Sequence, residues 1–257
     1  MRQHVGVDGC KAGWFAVTRD GIDLAWRLFP TINDLVSAFS SAERIFIDVP
    51  IGLPWADAPI RPCDRLAREI LGKRKKSSVF PVPCREALDA DGVEAARNIN
   101  RTHIGRSISA QTWGISPKIR QVDRLLLSIR EQRHGIHEIH PEVCFWALAD
   151  RRPMKYNKKT IEGREERLRV LKRLEPDVSM LLDDVQSKTL RKDVQIDDVL
   201  DATVAFITAE ARQGELASLA GEPSHDPSGL PMEMLYLRIW DDVAEGNLRK
   251  HSRFLDA

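Results

Sequence analysis

Five carboxylates in this 257-residue chain stand at points where regular backbone starts or stops: Asp8, Asp48, Glu142, Asp198 and Asp201. Carboxylates gathered at one edge of a fold repel one another unless they share protons or cations. Hard oxygen ligands suit magnesium or manganese, which keep part of their water shell and bridge to phosphates. Two such ions about 3.5–4 Å apart stabilise both the attacking and the leaving oxygen of a phosphodiester displacement. Each acid also has a plainer use. Asp8 can hydrogen-bond the turn that follows it, and Asp198 or Asp201 can cap a helix. Period two puts Glu142 on one side with Glu138 and His140, where it can form part of a polar strand edge or a weak His-x-Glu metal signal.

The elements that must position these acids follow from side-chain pattern. His4-Val5-Gly6-Val7-Asp8-Gly9 reads as a short buried strand ending in Asp8, with Gly9 and Gly13 bracketing a tight turn into the β-prone run Trp14 to Thr18. Alternating apolar residues over Gly21 to Phe29 describe a third antiparallel strand. Thr31 is a plausible N-cap for a helix carrying Ile32, Leu35, Val36 and Phe39 and ending near Ser40-Ser41. A strand follows over Arg44 to Val49, stopped by Pro50-Ile51-Gly52-Leu53-Pro54. Two strands joined by a crossover helix lie parallel and adjacent, which brings Asp8 and Asp48 to the same sheet edge. Small and apolar residues over Asp197 to Ala209 mark a helix packed closely on a sheet, with Asp198 and Asp201 on one face near its start.

Between Pro50 and about Arg133 the pattern predicts helices and loops. Helices are expected over Asp57 to Leu71, Val93 to Asn100 and Ser116 to Arg133, the last with Ile119, Val122, Leu125, Leu126 and Ile129 on one face. Gly72 to Lys76 reads as a basic loop, and Val79 to Pro83 is too rich in proline for a central strand. These residues form the expected helical insertion, about 50–133, in a single domain spanning 1–257. A strand returns over Gly135 to His140 and stops at Pro141-Glu142, and a helix is expected over Glu162 to Leu174. Beyond Gly214 the sequence is less informative, with an apolar run over Met234 to Trp240.

A chain of this length can bury one large core. Its 39 basic and 38 acidic residues neither favour nor exclude a polyanionic partner by their sum, but they are segregated: Arg151 to Arg173 holds ten bases against three acids, Glu175 to Asp201 eight acids against three bases. The four cysteines, Cys10, Cys63, Cys84 and Cys144, include no Cys-x-x-Cys pair and suggest neither a zinc ribbon nor a disulfide framework. Reduced thiols, no signal-peptide pattern and no apolar run of membrane-spanning length lead to the expectation of a soluble, cytoplasmic protein.

The runs Val7 to Trp14, Ile47 to Pro54, Arg61-Pro62-Cys63-Asp64 with Ala67-Arg68, Ser78-Val79-Phe80, Glu138 to Glu142 and Asp198 to Ala202 jointly resemble the family of predicted RNase H-like nucleases catalogued as domain of unknown function 429. The resemblance implies an α/β fold, an RNase H-like mixed sheet with flanking helices and a helical insertion. It also implies a Mg2+- or Mn2+-dependent nuclease acting on DNA or RNA. Asp8 would be the central metal-bridging carboxylate, Asp48 its partner, and Asp201 would close the site from the last helix. The Asp198-x-x-Asp201-Ala202 spacing is similar to that of Holliday-junction resolvases, where both aspartates face the metals. Glu142 departs from the simplest RNase H pattern and is open to roles as ligand, proton shuttle or anchor of the insertion.

For nucleic acid, Arg61, Arg65 and Arg68, with Lys73 to Lys76, are candidate phosphate contacts in the insertion, and Lys11 and Lys118 are single candidates near the proposed edge. Such contacts position a backbone without reading bases, and a solvated charged face is the plainer alternative. Two other functions compete. One is a non-catalytic nucleic-acid-binding protein on the same fold. The other is an ATP-dependent phosphotransferase of the actin and sugar-kinase class, against which stand the missing hydroxyl residue in Asp8-Gly9-Cys10-Lys11-Ala12-Gly13 and the lack of a second lobe-like copy.

Overall fold

The computed structural model describes residues 2–129, 135–212 and 214–238. A two-residue turn, Lys11-Ala12, tighter than the one expected between Gly9 and Gly13, joins β1 (His4–Cys10) to β2 (Gly13–Asp20) in an antiparallel pair, and β3 (Asp23–Phe29) extends the meander. Thr31 caps α1 (Ile32–Ala38), its hydroxyl oxygen accepting from the Asp34 amide at 3.2 Å. That helix carries the chain across to β4 (Arg44–Ile47), parallel to β1 with Val7 opposite Ile47. β5 (Ile136–Glu138) adds in parallel to β4, giving the order β3-β2-β1-β4-β5. A five-stranded mixed sheet of this order, flanked by helices, is compatible with the RNase H-like fold. The Asp48 amide donates to Val7 O at 3.1 Å, so the β1–β4 ladder runs one bond past β4 and ends beside Asp8 and Asp48. β1 itself does not end at Asp8 as the sequence suggested: Asp8 faces Phe15, and Gly9 and Cys10 continue the pairing with β2.

The face of the sheet under α8 (Ile196–Ala209) is set by one glycine. A Cβ on Gly6 would stand 2.0 Å from the Phe206 amide nitrogen and 2.3 Å from Ala202 O, so the helix backbone lies directly against β1. Only glycine admits that approach. It places the first turns of α8, and with them Asp201, over the end of β1. Phe15, Phe46, Phe145, Leu200 and Phe206 form the core on this side. The following helices α5 (Pro141–Leu148), α6 (Ile161–Lys172) and α7 (Val178–Lys188) pack around α8. On the opposite face, Val5, Val7, Trp14, Leu35 and Ile47 pack against Ile119, Val122 and Leu126 of α4 (Ala110–Ser128).

Several boundaries differ from the sequence expectation. The helix expected over 57–71 is α2 (Pro62–Lys75): Pro62 at its first turn sets the start, and the helix continues past Gly72, which kinks it at φ 63° where a loop was expected. α3 (Val93–Ile104) runs four residues further than expected, ending at a left-handed Gly105. α4 starts at Ala110 rather than Ser116, because Ser109 caps it and Pro117 is held inside the helix. Residues 130–133 of that expected helix, and Ile239-Trp240 of the C-terminal apolar run, lie outside the described residues. Pro141 opens α5 at once, so Glu142 leaves the strand periodicity that would have kept it beside Glu138. Among the described residues no helix is long and apolar enough to cross a membrane, and all four cysteines are buried and free.

Candidate active-site cleft

Asp8, in β1 where its ladder with β4 stops, Asp48, just past the end of β4, and Asp201, from α8, line one cleft of about 840 Å³ together with His140 and Glu142. Asp8 does tie down its turn, Oδ1 accepting from the Gly9 amide at 2.7 Å. That bond engages one carboxylate oxygen and leaves the other. Asp8 is 8% exposed, Glu142 6% and Asp201 1%. Burial pushes the Asp8 pKa well above the carboxylate range, and the charges of Asp48 and Asp201 push it further. Burial also raises Asp48 to about 6, Asp201 adding to the effect while His140 and Lys158 oppose it. Asp201 is raised by burial against the pull of Lys158. These are the electrostatics of like charges held close in a poorly solvated place.

Two buried atoms in this cleft have no hydrogen-bond partner: Glu142 Oε2 and His140 Nδ1. Glu142 Oε1 is engaged, paired closely with Arg167 Nη2 and 3.8 Å from Lys75 Nζ. An unsatisfied buried polar atom costs about 1–3 kcal/mol, which a ligand can recover. With three aspartates in the same cleft, the donors are predominantly carboxylate oxygens, a set that fits Mg2+ or Mn2+ better than a soft metal.

The cation already there is Lys158. Its ammonium pairs with Asp201 Oδ2 and stands 3.9 Å from Asp197 Oδ2, and its pKa is raised, chiefly by Asp201. The carboxylates of Asp8, Asp48 and Asp201 do not draw together to within 4.8 Å of one another as a set. Among the described residues the group that does is Cys63, Asp64 and Glu138. There Arg61 supplies the countercharge, 3.2 Å from Asp64 and in a closer pair with Glu138, and burial pushes the Cys63 thiol up so that it stays protonated. That group is a core ion pair.

Asp198 takes the capping role: its Oδ2 accepts from the Gln195 amide at 2.8 Å in a capping box, and it does not line the cleft. Arg61 corrects the expectation of a phosphate contact. It is 0% exposed and donates to Ile51 O at 3.0 Å besides its two acids, so no substrate reaches it. Arg65 pairs with Glu69 at 2.8 Å on the exposed side of α2, away from the cleft. Arg68 donates to Val79 O and Phe80 O, both at 3.0 Å, and so props the loop that puts Phe80 in the cleft wall. Lys11 is exposed in the β1–β2 turn and lies outside the cleft lining. Lys118 does line the cleft, but its ammonium donates to Gly13 O and lies 4.2 Å over the Trp14 ring, clamping the turn after Asp8.

Besides Lys118, the cleft is lined by Arg74 and Lys75 from the kinked end of α2 and by Lys155, Lys158 and Lys159 from the segment before α6. Arg74 and Lys75 fall in the basic stretch read from sequence. The other three were missed as site residues. Their signal was the lysine density after Arg151, but a loop that folds back over a sheet edge has no periodicity to say where it lands.

The family described as "Protein of unknown function (DUF429)" matches this chain over residues 6–225. No curated protein and no solved structure matches it.

Proposed function

This chain belongs to the DUF429 family, and we propose that it is a divalent-metal-dependent nuclease hydrolysing phosphodiester bonds in DNA or RNA. The observation that supports this most is the meeting of Asp8, Asp48 and Asp201 in one cleft with the unpartnered Oε2 of Glu142. In this reading Asp8, Asp48 and Asp201 hold Mg2+ or Mn2+. The metal, when bound, supplies a Lewis acid for the phosphate and lowers the pKa of water.

The chain's own residues supply the rest. Asp8 is held within β1 by its pairing with β2, and Asp48 by its amide bond to Val7 O, so their positions are fixed before substrate arrives, and Gly6 fixes Asp201 relative to them through α8. Glu142, a residue of the cleft lining held on one oxygen by Arg167, keeps its other oxygen buried and unpartnered, free to orient water or take a proton that reaches it.

A second reading, a non-catalytic nucleic-acid-binding protein, draws on one observation: Lys158 already neutralises Asp201 without a metal. Hydrolysis of single-stranded, duplex, hybrid and branched substrates with Mg2+ and with Mn2+, for wild type and Asp48→Asn, separates the two. Metal-dependent cleavage abolished in the variant is expected. Nucleic-acid binding with no cleavage under any condition supports the second reading.

A further inference from the structure

The carboxylates are recessed in the cleft: Asp8, Glu142 and Asp201 are buried and Asp48 is half-buried. Arg74 at the end of α2, and Lys155 and Lys159 from the segment whose Tyr156 O accepts from Lys75 of that same helix end, line the cleft, all exposed and, among the described residues, with no carboxylate paired to them. Phe80 and Ile115 give the cleft an apolar wall, and the Phe80 backbone is held in place by Arg68. A cleft of about 840 Å³ falls within the size of pockets that enclose a small ligand, room for one or two nucleotides. A duplex presents phosphates on the outside of a rod and keeps its base faces stacked within. It therefore offers these cations a partner but offers the apolar wall nothing, and its paired strand holds the backbone away from the recessed carboxylates. An unpaired nucleotide offers both a phosphate and a free base face.

We propose that the cleft takes unpaired nucleotides, as a single strand, flap or strand end of DNA or RNA. The base lies against Phe80 and Ile115, and the flanking phosphates run along Arg74, Lys155 and Lys159. This substrate class rests on the nuclease reading and specifies it.

The test uses the full chain carrying Asp8→Asn to prevent hydrolysis, without added metal, and reads fluorescence anisotropy with a labelled oligothymidylate and with a duplex of equal length. The single strand is expected to bind at least about tenfold tighter than the duplex. Adding Phe80→Ala weakens the single strand by about tenfold and leaves the duplex unchanged, since one base–aromatic stack is lost. Phe80→Leu, which keeps the apolar volume and the fold, shows the same direction of loss. Lys155→Ala with Lys159→Ala flattens the salt dependence of single-strand binding by roughly 1.4 in logarithmic slope, two phosphate contacts being removed. Equal or tighter duplex binding overturns the proposal, as does competition by thymidine monophosphate as strong as by the oligomer. Mn2+ titration of wild type in parallel separates the failures: Mn2+ binding with duplex preference sinks the substrate class alone, whereas no Mn2+ binding sinks the nuclease reading beneath it.

Discussion

Replacing Arg61 by methionine separates stability from function in a way sequence reasoning would have confounded. Arg61 is 0% exposed and is the countercharge of Glu138 and Asp64, each 2% exposed. Methionine keeps much of the apolar stem but leaves two buried carboxyls facing each other. Breaking a buried pair in this way costs about 3–5 kcal/mol. At roughly 2–4 °C per kcal/mol for a chain of this size, melting falls by about 6–20 °C. The loss depends on pH with a definite sign. Burial already pushes Glu138 up to about 8, Arg61 pulling the other way, so stability tied to its protonated form is full in acid and is lost as pH rises through that value. Without Arg61 the pKa rises further, and the variant is penalised more at pH 8 than at pH 5. Thermal melts of wild type, Arg61→Met and Arg65→Ala at the two pH values provide the assay. Arg65→Ala is expected to shift melting by less than about 2 °C, because its pair with Glu69 is exposed. A loss under about 1 kcal/mol for Arg61→Met, with nucleic-acid affinity falling instead, refutes the reasoning and returns Arg61 to the substrate side.

Asp8→Asn keeps an oxygen that can accept from the Gly9 amide and removes one of the repelling charges, so the metal-free variant should melt no lower than wild type. Wild type at a hundredfold excess of Mn2+ over its dissociation constant should gain about 2.7 kcal/mol, or roughly 5–10 °C, and the variant should not; a destabilised variant beside an ion-insensitive wild type would reduce Asp8 to a turn cap. Protons should compete with the metal. Asp48, raised by burial to about 6 from 3.8, is protonated and stabilising below its ordinary pKa and loses that contribution as pH rises through about 6. Mn2+ affinity should accordingly fall by about tenfold from pH 7 to pH 5, as calorimetry at both values will show, and equal affinity would exclude Asp48 as a ligand. Gly6→Ala should cost about 1–3 kcal/mol or more by forcing α8 off β1, and should weaken Mn2+ binding although residue 6 is not in the cleft. Unchanged metal affinity would show that α8 does not position Asp201.

The part of this arrangement legible in sequence is the part governed by local rules. β-branched residues between glycines, a capping Thr31 and the proline stop after Val49 located β1, α1 and β4, and the crossover rule made β1 and β4 neighbours. Asp8 and Asp48 followed from that. α8 was readable because its small residues announce a close approach. The rest depends on distant partners. Arg61 has the appearance of a surface arginine beside Arg65 and Arg68 until Glu138, 77 residues away, is brought to it. α5 is buried on every side, so its eight residues carry no amphipathic period. Pro117 suggests a helix start, although Ser109 supplies the cap about two turns earlier. Asp198 and Asp201 look equivalent by spacing, and only the hydrogen bond to Gln195 assigns the first to capping.

The most direct test is a Mn2+-soaked crystal of the full chain, with the ion located by its anomalous scattering. A Mn2+ ion ligated by Asp8, Asp48 and Asp201, with the Lys158 ammonium withdrawn from Asp201, is the predicted result. Lys158 still paired with Asp201 and no manganese in the cleft at saturating concentration would contradict the account.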